Sequence, residues 1–356
     1  MKQIFKFALC AACVISMAAC NNKSSDEEVT TDKETELQKA MTPYVNNTVL
    51  ATYKDMASEG KTLLSLCQQI QAAVEGGNDY AALMSNAKTT WRARRKYWEQ
   101  SEAFLYGPAS TQNIDPHIDS WPLDFNAMNS LLNDADRMAA IEAEGGAYVG
   151  DKLGYALKGF HAAEFLLFTK TTLTHAESVY LVGIVEDLSE QADILVDSWK
   201  TYGEYMTTAG QAGSIYKTYQ EAAEEVIAGC INIAGEVADL KMGNPYLSST
   251  DEERDYIESP YSCTSTIDFT DNIISIRNSY CGAKGGEASI SDYVKTQDET
   301  IDTKVRKAIN EAITAINNIE NFETTAKNNP KVKTAIDKVS ALEEVLNKEV
   351  LPLLSK

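Results

Sequence analysis

Apolar residues recur at three- and four-residue spacing along most of the chain. The pattern predicts helices over 37–59, 61–74, 80–105, 176–206, 216–242, 301–325 and 332–354. Period-two alternation bounded by tight turns, the mark of strands, is almost absent. Punctuation falls at Gly76-Gly77-Asn78, Gly107-Pro108, Gly145-Gly146, Gly243-Asn244-Pro245 and the glycine-rich run 282–286. The expected fold is therefore all-α. A chain of this length exceeds the usual size of one core, so two antiparallel helical bundles are expected, spanning 36–208 and 209–356.

One stretch departs from the amphipathic norm. Residues 153–168, LGYALKGFHAAEFLLF, are apolar on nearly every face, as in a helix buried all round. Leu153, Leu157, His161, Glu164 and Phe168 fall on one helical stripe. A carboxylate there costs on the order of several kcal/mol unless a cation, hydrogen-bond donors or a metal meets it. His161 and Glu164 are either a packing device or half of a metal site, one turn apart and able to face one ion. With only His117, His161 and His175 in the chain, a histidine-rich zinc site is excluded. Oxygen ligands would dominate, which favours iron, manganese or calcium.

The amino terminus adds an address. Lys2 and Lys6 flank the start of an apolar run too short to span a membrane, and the run ends in Met17-Ala18-Ala19-Cys20. Residues 1–19 read as a lipoprotein signal with Cys20 as the lipidated residue, the large Leu9 disfavouring cleavage at Cys10. The polar, acidic stretch after it reads as a solvated tether over 20–35 and resembles lipoprotein surface-export signals. Attachment to the outer membrane by lipid alone follows, on the cell surface or the periplasmic face. The charge, 32 basic against 52 acidic side chains for a net −20, excludes phosphate-neutralising nucleic-acid binding. Of the cysteines beyond Cys20, Cys67 and Cys230 read as buried core residues. Cys263 and Cys281 flank a loop-rich region and are the expected bridge in an oxidising compartment.

Four stretches together resemble the imelysin-like proteins, bacterial envelope proteins linked to iron uptake. They are Trp91 to Pro108 (WRARRKYWEQSEAFLYGP), the Asp119-Ser-Trp-Pro-Leu-Asp124 segment, the Gly159-x-His161-x-x-Glu164 helix, and Asn244-Pro245-Tyr246 followed by Ser259-Pro-Tyr-Ser262 and Asp268-Phe-x-Asp-Asn272. The resemblance implies two bundle-like domains with a cleft between them, lined by the helix of His161 and Glu164. The family was first described as a metallopeptidase, yet no H-E-x-x-H is present here.

On that resemblance His161 and Glu164 are the first metal contacts. Glu102 is expected to join them, with an arginine holding a carboxylate by bidentate bonding. Arg95, Trp98 and Glu102 share a helical face by spacing; the plainer reading is a surface network of Arg95 with Glu102 or Glu99. Asp124, after Trp121-Pro122, is either an oxygen ligand or a helix cap. His117, beside Asp115 and Asp119, reads first as an exposed loop histidine. Asp268 and Asn272 either reach the cleft from the second half or satisfy helix backbone. The expected protein is a lipid-anchored envelope protein that binds iron as ion or haem, His161 being the candidate axial ligand, without a chemical step. The alternatives are a metal-dependent hydrolase with Glu164 as base, and a metal-free module that docks an outer-membrane transporter.

Overall fold

The computed structural model describes residues 26–248 and 257–355. The signal segment 1–19 and Cys20 lie outside the described residues. The expected all-α class holds: the structure is 79% helical with no strand among the described residues. The longer helices are α1 (Asp26–Pro43), α2 (Leu50–Glu75), α3 (Ala81–Glu99), α4 (Gly159–Thr169), α5 (His175–Thr207), α6 (Tyr219–Glu236), α7 (Ser265–Cys281), α8 (Glu299–Asn317) and α9 (Pro330–Val345). In the first half α2 packs between α3 and α5, and α5 also carries α4; in the second, α7 lies against α6 and α8, with α8 on α9. Further α7 contacts reach back to α3, and α1 lies on α6. One continuous apolar cluster runs through both halves, including Trp91, Trp199, Phe160 and Phe269.

Local chemistry explains where these helices begin. Thr174 starts α5 with a capping box, its side chain accepting from Glu177 N while the Glu177 carboxylate accepts from Thr174 N. Thr218 caps α6 in the same sense, accepting from Glu221 N.

Several boundaries differ from the periodic reading. The tether expected over 20–35 is already helical from Asp26, and its earlier part lies outside the described residues. Gly60 does not separate two helices but sits inside α2. A Cβ there would stand 2.9 Å from the Arg94 guanidinium carbon, so the glycine makes room for a buried arginine that donates to Leu188 O. The helix expected from residue 153 begins only at Gly159, because 155–157 form a separate 3₁₀ turn and Lys158 is extended. The Cys263–Cys281 bridge is also corrected: neither cysteine is in a disulfide, Cys263 being exposed and Cys281 half-buried. Cys67 and Cys230 are buried as expected, and burial pushes both thiols up to about 12, which makes them inert.

His117 is half-buried rather than exposed. It lies in the last turn of the short helix Ile114–Ile118, with Nδ1 3.7 Å from Asp187 Oδ1 on α5. Burial pushes the Asp187 carboxyl up to about 6, against the pull of Lys158 and Gln191. A raised folded-state value contributes stability below the unfolded value near 3.9 that is lost as pH climbs through about 6. Asp187→Asn should therefore abolish a component of on the order of 3 kcal/mol in the fall of stability between about pH 4 and pH 7. Urea unfolding of parent and variant across that range checks it; parallel pH profiles would refute the assignment.

Candidate functional site

The last two turns of α3 set out the site. Trp91, Arg94, Arg95, Trp98 and Glu99 are all buried, so this end of the helix brings two arginines and a glutamate out of water. Arg95, 1% exposed, is the hub. Its Nη2 lies 2.6 Å from Glu99 Oε1 and 2.6 Å from Glu258 Oε1, and its Nη1 donates to Asp119 Oδ1. The expected surface network is thus a buried one, and Arg95 clamps Asp119, Glu99 and Glu258 rather than Glu102. Trp98 shares the task by donating from Nε1 to the other Asp119 oxygen at 2.7 Å. Burial alone would push the Asp119 carboxyl up, but Arg95 and His161 hold it well below the carboxylate range.

Close packing of α4 delivers His161. Gly159 has φ +78°, and a Cβ on it would stand 2.4 Å from Ile118 O, so only glycine lets the start of α4 press against the strand of chain leading into Asp119. Two residues on, His161 is fully buried. Its Nδ1 lies 3.3 Å from Glu164 Oε2, and its ring rests on Trp121 with centroids 4.7 Å apart. Nε2 stands 3.0 Å from Asp119 Oδ1, but the N–H direction misses that oxygen, leaving the atom without a hydrogen bond. Burial would lower the imidazole, yet the flanking carboxylates of Asp119 and Glu164 outweigh it and raise it to about 9.

Glu164 reaches across to the second half with its other oxygen. Its Oε1 accepts from Tyr261 N at 3.1 Å, Ser262 N at 2.7 Å and the Ser262 hydroxyl at 2.7 Å. One carboxylate oxygen is thus spent on the loop that enters α7, while the other faces His161. It orients His161 and ties the two halves together.

Glu102 lies past the end of α3, in a 3₁₀ turn, and does not converge with His161 and Glu164. It faces Lys241 instead. The Lys241 ammonium stands 3.4 Å from Glu258 Oε1, 3.5 Å from Glu102 Oε1 and 3.7 Å from Glu99 Oε2, on the π-helical turn Val237–Met242. Burial would lower this lysine, but Glu102, Glu258 and Glu99 raise it well above its ordinary value. Burial pushes the Glu102 carboxyl well up despite Lys241.

Asn272 and Asp268 do reach the site from the second half. Asn272 donates from Nδ2 to Glu99 Oε2 at 2.6 Å. Asp268 accepts from Ser259 Oγ at 2.6 Å, and burial with nearby Glu99 pushes its carboxyl well up.

The remaining expected ligand, Asp124, is a correction. It is exposed, its Oδ1 accepts from Ala127 N at 2.9 Å, and it caps the short helix Phe125–Leu132 outside every convergent group found among the described residues. Two triads in the interior do converge, their ligand atoms within 4.8 Å of one another: Asp119, His161 and Glu258, and Glu99, Glu102 and Asp119, of which His161, Glu99 and Glu102 are buried and Asp119 and Glu258 part-buried. Asp119, Glu99, Glu258 and Lys241 are thus site residues that the spacing argument did not select. Glu99 at i+4 from Arg95, and Asp119 at the head of the Asp-Ser-Trp-Pro stretch, were open to detection; Lys241 carries no local signal.

Comparison with known proteins gives a consistent picture. Residues 49–348 match the family model described as imelysin, peptidase M75. The chain is 28% identical over 324 residues to the iron-regulated protein A of Synechococcus elongatus, covering 87% of this chain and 85% of that protein. A crystal structure described as an iron-regulated protein A precursor from Parabacteroides distasonis superposes with a TM-score of 0.77 at 26% identity, over 88% of this chain and 94% of the other. An imelysin-like protein from Psychrobacter arcticum shares the fold, with a TM-score of 0.73 at 14% identity over 91% and 96% of the two chains.

Two substitutions separate the site's scaffold from its surroundings. Gly159→Ala should cost about 1–3 kcal/mol, because it forces a side chain into the left-handed region and against Ile118 O. Asp124→Ala should cost about 1 kcal/mol as a lost cap and leave the interior triads unchanged. Chemical denaturation measures both, and tryptophan fluorescence, to which Trp91, Trp98 and Trp121 near Gly159 contribute along with Trp199, should shift for the glycine variant alone.

Proposed function

Since the chain belongs to the imelysin family, we propose that it is an iron-binding protein of the bacterial envelope that takes up the ion as cargo between Asp119, His161 and Glu258. The observation that carries this reading is the buried His161 Nε2, which has no hydrogen-bond partner and faces carboxylate oxygens of two separate chain segments. With Glu164 accepting at Nδ1, the ring offers Nε2 to an ion that displaces the proton the flanking carboxylates otherwise hold there. Two carboxylates and one imidazole form a hard, mostly oxygen donor set suited to iron or manganese. Arg95 and Trp98 hold the carboxylates in place, so little ordering remains at binding.

The iron-regulated names of the relatives agree with an iron-related role. The bare ion is favoured over haem because Asp119 Oδ1 lies 3.0 Å from Nε2, the position a macrocycle would need, and Trp121 covers the ring face. Hydrolysis finds less support: the proposed base, Glu164, already accepts three hydrogen bonds on one oxygen. Among the described residues no helix is long and apolar enough to cross a membrane. On the signal read at residues 1–20 the proposal also includes attachment by the lipid on Cys20, and delivery of the ion to an outer-membrane transporter.

Anaerobic titration of the chelator-treated full chain with Fe²⁺ tests the reading. The parent should bind one equivalent; His161→Ala and Asp119→Asn should weaken it at least tenfold while circular dichroism stays unchanged. Because bound imidazole and carboxylates must shed their protons, affinity should rise with pH. Equal retention by parent and His161→Ala would sink the assignment.

A further inference from the structure

Positive charge is scarce on this chain, 32 basic against 52 acidic side chains, and many exposed lysines stand beside a carboxylate. One concavity departs from that pattern. A cavity of about 290 Å³ opens between the end of α7 and the face of α8, lined by Arg277, Asn278 and Cys281 from one and Arg306, Ile309 and Asn310 from the other. No carboxylate lines it. Its two guanidinium groups are held differently. Arg306 is fixed from beneath by Asp302, which is 4% exposed. That carboxylate accepts from Arg306 Nε at 2.9 Å, from the Tyr280 hydroxyl at 3.1 Å and from the Ser291 hydroxyl, while Arg306 Nη2 donates to Ser291 Oγ at 2.6 Å. Asp302 is thus engaged along one edge of the guanidinium, and the Nη1 donors stay open to the cavity side. Arg277 is exposed and stands in no ion pair among the described residues; its Nη2 donates to Asn278 Oδ1 at 3.4 Å.

We propose that this cavity binds a small organic oxyanion, an acid carrying carboxylate or phosphate groups that pair with Arg277 and Arg306. A guanidinium presents planar donors that match such groups two at a time, which a solvated lysine does not. Because Arg306 is already locked by buried partners, little of its freedom remains to be lost when a ligand arrives. Ile309 gives a carbon skeleton an apolar wall, and Asn278 and Asn310 add neutral donors. At ~30 Å³ for each water of liquid, the space equals roughly nine waters, more than inorganic phosphate fills and enough for an organic acid. One effect opposes an anion. Helix α7 ends at the cavity, and its carbonyl end carries the equivalent of about half a negative charge, which two full guanidinium charges outweigh. Cys281 marks the rim. Burial pushes its thiol up while Arg306 and Arg277 pull against that, so both arginines act on one point. The site shares no residue with the ion site proposed above and stands or falls apart from it.

The test is isothermal titration of the metal-free full chain with succinate, citrate and inorganic phosphate, each against sodium chloride at equal ionic strength. Alkylation of Cys281 by iodoacetamide, read by peptide mass spectrometry, locates the ligand. At least one of the three should bind at one equivalent and slow the alkylation of Cys281 about tenfold or more at saturation; their order of affinity tells carboxylate from phosphate. Arg277→Gln should weaken that binding about tenfold or more, with the thermal midpoint unchanged because the side chain is exposed. Arg137→Gln makes the same change of charge outside the cavity lining and should bind as the parent does. No binding of any of the three beyond the chloride control would overturn the proposal, as would equal affinity in the parent and Arg277→Gln. Binding that leaves the alkylation of Cys281 unchanged would also overturn it, by placing the anion elsewhere.

Discussion

A guanidinium with 1% of its surface exposed imposes more on this fold than any other group. Leaving Arg95 unpaired out of water would cost several kcal/mol, so carboxylates must come to it. One comes from its own helix, Glu99; the others, Asp119 and Glu258, come from segments 24 and 163 residues away. Much of the surrounding architecture serves that convergence. Trp98 fixes the far oxygen of Asp119, Gly159 allows α4 to press against the residues before it, and Glu164 fastens the loop that follows Glu258. The candidate site is what this compensation leaves in the middle of the protein.

Compensation is incomplete by design of the residue set. Glu99, Glu102, Asp119, Glu258 and Asp268 surround only two permanent cations, Arg95 and Lys241. The surplus is met by protons: burial pushes Glu102 and Asp268 well up, and the imidazole of His161 is raised by its carboxylate neighbours. Such a centre is electrostatically prepared for positive charge. A cation bound as proposed would have to trade places with those protons.

How much of this was legible in the chain depends on the range of the interaction. Helical period reports local burial, and it revealed an all-α protein and a buried His161–Glu164 pair, since residues three apart meet on one face whatever the rest of the chain does. Asp124 as a cap was equally readable, its carboxylate serving a backbone N–H three residues on. Gly60 misled because the same residue that ends helices also admits a bulky neighbour, and only the tertiary position of Arg94 decides between them. The partners of Glu164 are 97 and 98 residues away and are mostly backbone N–H groups, which carry no signature in residue type. Lys241 was invisible for a related reason. A lysine late in an amphipathic helix reads as solvent-facing, and only carboxylates from other segments make its burial tolerable.

The tie between Glu164 and the backbone of Tyr261 and Ser262 also sets an order of events. A chain emerging from its amino terminus presents Arg95, Asp119 and His161 long before Glu258 and the loop that secures Glu164 exist. Through that interval the first half carries a half-built polar centre with no lid, and loop closure over almost 100 residues must precede its completion. The completed centre therefore belongs only to a molecule whose far end has already folded back.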